Sequence, residues 1–163
     1  MMLKETMTFY TGRLYRQGQV SIGPLDPSLL QSAKIAADVK VPVEFWVREA
    51  AGRDDVVYFS IFLGKDLIGQ IVLHDLNTDT AKSLIAYHLF NSQLRGQGYG
   101  TQALRLLQSY ILEQTTLNKL VIITSRDNLA SQAIARKCGF RYLGGSREDP
   151  INDMVFEWQV SRN

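Results

Sequence analysis

The chain has 163 residues, enough for one domain with a full apolar core and no need of disulfide or metal staples. Hydrophobic residues make up 45% and charged residues 21%, the balance of a soluble globular protein, which excludes extended disorder beyond the first dozen or so residues. Lys and Arg number 18 against 16 for Asp and Glu, too even a balance, with no dense basic run, to point to nucleic acid.

The single cysteine, Cys138, excludes an internal disulfide and fits a reducing compartment. Met1 to Gly12 lacks a basic start followed by an apolar core, so no secretory leader is expected. The longest apolar stretch, Val56 to Leu63, falls far short of the roughly twenty residues that span a bilayer. A cytoplasmic protein with no membrane partner is the resulting expectation. No His, Cys or carboxylate cluster has metal-ligand spacing, so no metal is expected either.

In chain order, the pattern predicts a frayed segment to about Gln17 and a strand over Val20 to Leu25, closed by Pro24 and Pro27. Helices follow at Ser28 to Asp38 and at Val43 to Ala51, the second entered through Pro42, a residue suited to a first helical turn. Strands Val56 to Leu63 and Leu67 to His74 flank a hairpin-like turn at Gly64, Lys65 and Asp66. A turn at Asn77 to Asp79 leads to a strand over Ser83 to Phe90. Ala103, Leu104, Leu106, Leu107, Tyr110 and Ile111 then recur at helical spacing, and Lys119 to Thr124 reads as a strand buried on both faces. The centre is therefore a βαβ unit with two parallel strands. Asn128 can cap another helix whose packed side holds Ala130, Ala133, Ile134 and Ala135, and Gly139 suits its left-handed end. Strand-like Arg141 to Gly144 and Met154 to Val160 close the chain around a charged loop with Pro150. No linker divides residues 1–163, so one domain is expected.

Between the strand and helix of the βαβ unit lies Arg95, Gly96, Gln97, Gly98, Tyr99, Gly100. A glycine-dense turn opening a helix aims bare backbone N–H groups and the positive end of the helix dipole at a phosphate. Neither G-x-G-x-x-G nor G-x-x-x-x-G-K-[ST] occurs, which excludes the dinucleotide and Walker fingerprints. The form Arg95-x-x-Gly98-x-Gly100 resembles the [QR]-x-x-G-x-[GA] acyl-CoA pyrophosphate motif of the GNAT superfamily of N-acetyltransferases. The stretch Asn128 to Phe140, N-x-x-S followed by a helix closing in G-F, looks like the same family's second signature. Ile85, Ala86, Tyr87, His88, Leu89 is similar to the strand of the ribosomal-protein N-terminal alanine acetyltransferases, the RimJ/RimL-like branch. The resemblance runs from about Ile68 to about Leu143.

The resemblance implies the acyl-CoA N-acyltransferase fold, an α/β (α+β) mixed sheet of about six or seven strands flanked by about four helices. It implies acetyl-CoA as cosubstrate and a primary amine as acceptor, a peptide or protein α-amine or a small amine, attacked directly. Amides of Gln97 to Gly100, with Arg95 and Gly96, would bind the pyrophosphate. The pantetheine arm would lie where the ends of Tyr87 to Phe90 and Ile122 to Ser125 splay apart, with a backbone N–H near Leu89 or Phe90 polarising the thioester carbonyl. Asn128 would cap its helix and also hold the pantetheine arm.

Ser131 is similar to a serine that protonates the departing thiolate in the ribosomal-protein branch; its plain alternative is a first-turn serine bonded to backbone. Many members carry a tyrosine where this chain has Ala135, which has no proton to give. Candidate bases are Glu148 or Asp149 after the sixth strand, otherwise solvated loop charges, and His88, otherwise a packing residue, or His74, both with ordinary pKa values that suit the task. An α-amine near 7.7 to 8.0 needs less help than a lysine near 10.4. Phe45 and Trp46 line the acceptor pocket or pack in the core, Tyr99 and Tyr142 read as packing, and Cys138 as a small buried side chain. The acceptor stays open, as does monomer or homodimer. A CoA-binding module or regulatory subunit without turnover, and another phosphate-binding α/β enzyme, are the alternative readings.

Overall fold

A computed structural model describes residues 15–162, and the structural statements below concern these. They form one eight-stranded sheet in the order β1-β2-β3-β4-β5-β6-β8-β7. Its strands are β1 Tyr15–Gln17, β2 Val20–Gly23, β3 Val57–Leu63, β4 Asp66–Asn77, β5 Lys82–Leu89, β6 Lys119–Ser125, β7 Arg141–Gly145 and β8 Asp153–Gln159. The four α-helices are α1 Pro27–Ser32, α2 Ala37–Gly52, α3 Tyr99–Gln114 and α4 Leu129–Lys137. The eighth strand, beyond the six or seven expected, is β1, which lies in the segment read as frayed. Tyr15 to Gln17 pair with Ile22 to Val20 across the Gly18–Gln19 turn, and the Tyr15 ring packs edge-on against Tyr110. The rest of that segment lies outside the described residues.

The expected βαβ unit is present. β5 and β6 are the sheet's one parallel pair, joined through α3, whose Ala103, Leu104, Leu107 and Ile111 are wholly buried against the sheet. Strand alternation gives the sheet two distinct faces. One, carrying Ile22, Phe59, Ile71, Ile85 and Phe156, packs on α3 and α4 as the main core. The other, carrying Val56, Tyr58 and Val72, packs on α2 through Trp46, Val47 and Ala50. No α-helix lies over β6 and β8 on this second face, which explains why Ile123, in mid-strand, is 43% exposed.

The second helix departs from the sequence reading. It begins at Ala37, so Pro42 sits inside it instead of at its start. An interior proline costs about 3 kcal/mol in helix stability. Tertiary packing overrides this, because Val39 and Val43, one turn apart around Pro42, both bury against Phe90. The first helix is also shorter than read: Ala33 is extended and the Ala36 N–H donates to the Phe90 carbonyl at 2.8 Å, which keeps residues 33–36 out of a helix.

Candidate active site

Pairing of β5 with β6 runs from Lys82↔Lys119 to Ile85↔Ile122 and stops. Beyond it β5 stays hydrogen-bonded to β4 as far as Leu89, while β6 stays with β8 as far as Ser125. The two strands therefore part company at the end of the parallel pair, the splay expected between Tyr87 to Phe90 and Ile122 to Ser125. On the helix side the gap opens into a cleft of about 540 Å³ lined by Tyr87, Leu89, Arg95, Gly100, Asn128 and Ser131. Between the strands lies an aperture of about 270 Å³, which shares Tyr87, His88, Asn128 and Ser131 with the cleft. On the opposite face a basin of about 630 Å³ shares His74, Leu84 and Ile123 with the aperture. Shared lining residues set the three spaces side by side from one face of the sheet to the other.

The glycine turn stands at the mouth of the cleft. Gly98 is the N-cap of α3 with φ +87°, and Gly96 has φ +76°. A Cβ on either would meet nothing within 4 Å, so left-handed backbone, not crowding, calls for glycine at both. The first helical bond runs from the Gln102 N–H to the Gly98 carbonyl, leaving the amides at the start of α3 without helical acceptors. Gly100 serves a different end: a Cβ there would lie 2.9 Å from Ile134 Cδ1, so its absence lets α3 approach α4. The Gln97 side chain donates to the Gln93 carbonyl and accepts from the Tyr99 hydroxyl. Arg95 lies at the rim, its guanidinium 3.7 Å from the Asp38 carboxylate.

Of the two amides named for the thioester carbonyl, that of Phe90 is already committed. It donates to the Ile68 carbonyl at 2.8 Å, and the Phe90 ring is buried beneath α2. Because bonded and non-bonded pairs alternate along an antiparallel ladder, the Gly69↔Leu89 pair next to it turns the Leu89 N–H away from β4, toward the gap.

Asn128 caps α4 as expected, its Oδ1 accepting the Ser131 N–H at 3.0 Å, and it lines both cleft and aperture. Ser131 does not bond its own helix through its hydroxyl. Its Oγ lies 2.8 Å from the Tyr87 hydroxyl, which also donates to the Ser131 carbonyl at 3.2 Å. Burial pushes the Tyr87 phenol up to about 12, so it stays protonated through neutral pH. Ala135 is wholly buried in the main core, and a strand residue, Tyr87, brings a phenol to α4 instead.

His88 faces the α2 side. Its Nδ1 takes a hydrogen bond from Gln70 Nε2 at 3.0 Å, and the same amide reaches toward the Pro42 carbonyl. Burial, reinforced by the Arg95 charge, holds the imidazole below its ordinary pKa, in the neutral form. Glu148 lines the basin only and is exposed, so the three candidates Ser131, His88 and Glu148 do not converge: the first two share the aperture, the third stands beyond it. Asp149 holds its own loop, accepting from the Asn152 backbone and side chain. Trp46 packs on the His74 ring with centroids 4.5 Å apart, and Phe45 packs edge-on against Trp46. Among the described residues no cluster of His, Cys, Asp and Glu is arranged to hold a metal, and no helix is long and apolar enough to cross a membrane.

Residues 9–141 match the Acetyltransferase (GNAT) domain. The chain belongs to the GNAT acetyltransferase family. Among curated relatives it is 30% identical over 103 residues, 63% of this chain and 55% of the relative, to "Putative ribosomal N-acetyltransferase YdaF" of Bacillus subtilis. It is 26% identical over 116 residues, 69% of this chain and 64% of the relative, to "Probable N-acetyltransferase YjcK" of the same organism. The chain thus spans between half and two thirds of the length of these relatives. In fold it is similar to RimL, a ribosomal L7/L12 alpha-N-protein acetyltransferase, with TM-score 0.75 and 17% identity over 93% of this chain and all of that one. The GNAT signatures read from the sequence, the glycine turn and the N-x-x-S helix, are the two segments that flank the cleft.

Two features escaped the sequence reading. The sequence places Tyr87 at the splayed strand end but gives no sign that its hydroxyl meets Ser131 Oγ across the cleft. The Asp75 carboxylate, 2.6 Å from His74 Nδ1, left no signal at all, since neighbours in a regular strand face opposite ways.

Proposed function

We propose that the chain transfers an acetyl group from acetyl-CoA to the α-amine of a peptide or protein by direct attack on the thioester. The observation that carries this reading is the row of adjoining spaces across the sheet: a cleft headed by free helix-entrance amides on one face and an open basin on the other, with the aperture between them where β5 leaves β6. The residues fit the coenzyme, because the turn leaves open space above Gly96 and Gly98, and the amides there lack acceptors that a diphosphate would supply. Arg95 adds a fixed positive charge, and Asn128 has its Nδ2 available for the pantetheine arm. When bound, acetyl-CoA supplies an activated acyl thioester.

The chain's own groups do the rest. The Leu89 N–H donates to the carbonyl oxygen as negative charge grows on it, a contribution worth about 3 to 4 kcal/mol in comparable sites. With the Tyr87 hydroxyl proton turned from the Ser131 carbonyl to Ser131 Oγ, the serine's own proton is free to pass to the departing sulfur. His88, held neutral, keeps a cation away from the incoming ammonium. The α-amine is favoured over a lysine because it gives up its proton near neutral pH; the ribosomal and alpha-N-protein acetyltransferases to which the chain is similar accord with this.

The experiment is release of free thiol from acetyl-CoA by the purified chain, offered short peptides with a free N-terminal Ser or Ala and the same peptides blocked at the N-terminus. Turnover with the free peptides alone is expected. CoA binding without thiol release from any amine would favour the non-catalytic module instead.

A further inference from the structure

The mouth of the aperture on the basin side holds an imidazole whose orientation is built into the backbone. In a regular strand His74 and Asp75 would point to opposite faces. Here β4 carries a bulge: pairing with β5 steps from His74↔Leu84 to Asn77↔Lys82, which sets Asp75 and Leu76 together opposite Ser83. Asp75 adopts φ +49°, and this left-handed turn swings its carboxylate back onto the preceding ring, Oδ2 to Nδ1 at 2.6 Å. Bulges re-aim side chains in this way, often beside active sites. The bulge is fixed from three sides. Ser83 Oγ donates to the His74 carbonyl, the Leu76 N–H donates to the Asp55 carbonyl, and Arg53 lies 3.5 Å from Asp75 while forking onto Asp55. The Trp46 ring backs the imidazole.

A carboxylate on Nδ1 keeps the proton there and leaves Nε2 as the ring's acceptor nitrogen. Nε2 makes no hydrogen bond to another described residue, and His74 lines both aperture and basin. We propose that His74, oriented by Asp75, is the base that receives the acceptor's proton. This deepens the acetyltransferase reading and rests on it. Nε2 takes one proton from the ammonium of the α-amine and releases it to solvent through the open basin. The neutral nitrogen then forms its bond to the acetyl carbon. As the carbon–sulfur bond breaks, the nitrogen's second proton goes to Nε2 and from there to solvent, while the thiolate takes a proton from Ser131, which is replaced through Tyr87 by one taken up from solvent. The products are an N-acetyl amide, CoA thiol and one proton returned to solvent.

Other charges face the ring and enter any pH profile. On the α2 side these are Asp75 with Arg53 and Asp55; in the aperture, His88; in the basin, Lys82, the Lys119–Glu157 pair, Arg147, Glu148 and Asp153. The test therefore compares variants within one profile. Thiol release with a free N-terminal Ser peptide is measured from pH 5.5 to 9.5 for the natural chain, His74→Gln, Asp75→Asn, His88→Gln and Glu148→Gln, with CoA affinity measured alongside. His74→Gln is expected to lower kcat by at least about a hundredfold and abolish the acidic limb, with CoA affinity within twofold. Asp75→Asn is expected to lower kcat by about tenfold or more and shift the same limb. Added imidazole should partly restore His74→Ala, which separates a lost base from a damaged fold. Full turnover and an unchanged acidic limb in His74→Gln, or a limb that disappears in His88→Gln or Glu148→Gln instead, overturns the assignment of His74 alone. A natural chain that releases no thiol with any amine overturns the acetyltransferase reading, and this role with it.

Discussion

The Tyr87 hydroxyl and Ser131 Oγ lie 2.8 Å apart, tying β5 to α4 across the opening where the sheet divides. The contact exists because Tyr87 occupies a strand position that faces α4 and because Asn128 starts α4 early enough to bring Ser131 to it. Ser131→Ala is expected to lower turnover by ten- to a hundredfold while CoA affinity stays within threefold. Tyr87→Phe should fall in between, since it removes the phenol that feeds the serine but leaves the serine itself. Equal kcat in all three proteins, read by thiol release at saturating acetyl-CoA, would remove this pair from the proton path.

Leu89→Pro tests the carbonyl donor. The substitution deletes one N–H, and that N–H makes no ladder bond with β4. The expected protein folds, binds CoA and turns over about a hundredfold or more slowly. Unchanged turnover in a variant that folds by circular dichroism would remove this amide from the carbonyl site.

His88 carries a pH signature in stability. Its folded pKa lies below the unfolded value, by burial first and the Arg95 charge second. The unfolded chain thus binds the proton more readily, so this contribution is fully present above the ordinary histidine value near 6.5 and is lost as pH falls through the lower folded value. Urea midpoints at pH 7.5 and 5.5 should draw closer together in His88→Asn than in the natural chain. A gap of the same size in both would contradict the buried neutral imidazole.

Pro42 sits inside α2 at the expense of a helix bond, held by the burial of Val39 and Val43 around it. Pro42→Ala is expected to restore the bond and stabilise the fold by about 1 to 2 kcal/mol, the helix gain being partly offset by a more flexible unfolded chain. A lower Tm in the variant would mean that proline fits this turn better than alanine.

What could be read from the sequence was what the backbone itself demands. Glycines at 96 and 98 announce left-handed angles and Asn128 announces a helix start, and these lie as read; the run from Lys119 to Thr124 announces a strand, which forms, but its second face stays open at Ile123 instead of being covered. What could not be read depends on events between distant segments. Pro42 looks like a helix start until Phe90 is known to lie beneath Val39 and Val43. Phe90 and Leu89 look equally fit to offer an amide until the ladder with Ile68 and Gly69 gives one of them a partner. His74 and Asp75 look like opposite faces of one strand until the bulge against Ser83 folds one onto the other.

The central claim is that main-chain amides at the entrance of α3 hold the coenzyme's diphosphate. Calorimetric titration of CoA into the natural chain and into Gly98→Val tests it most directly, because a branched side chain at φ +87° both strains the turn and fills the open space above it. The account predicts saturable one-to-one binding by the natural chain and at least a hundredfold weaker binding by a Gly98→Val protein that still melts cooperatively. No heat from the natural chain, or equal affinity in the two, would contradict it.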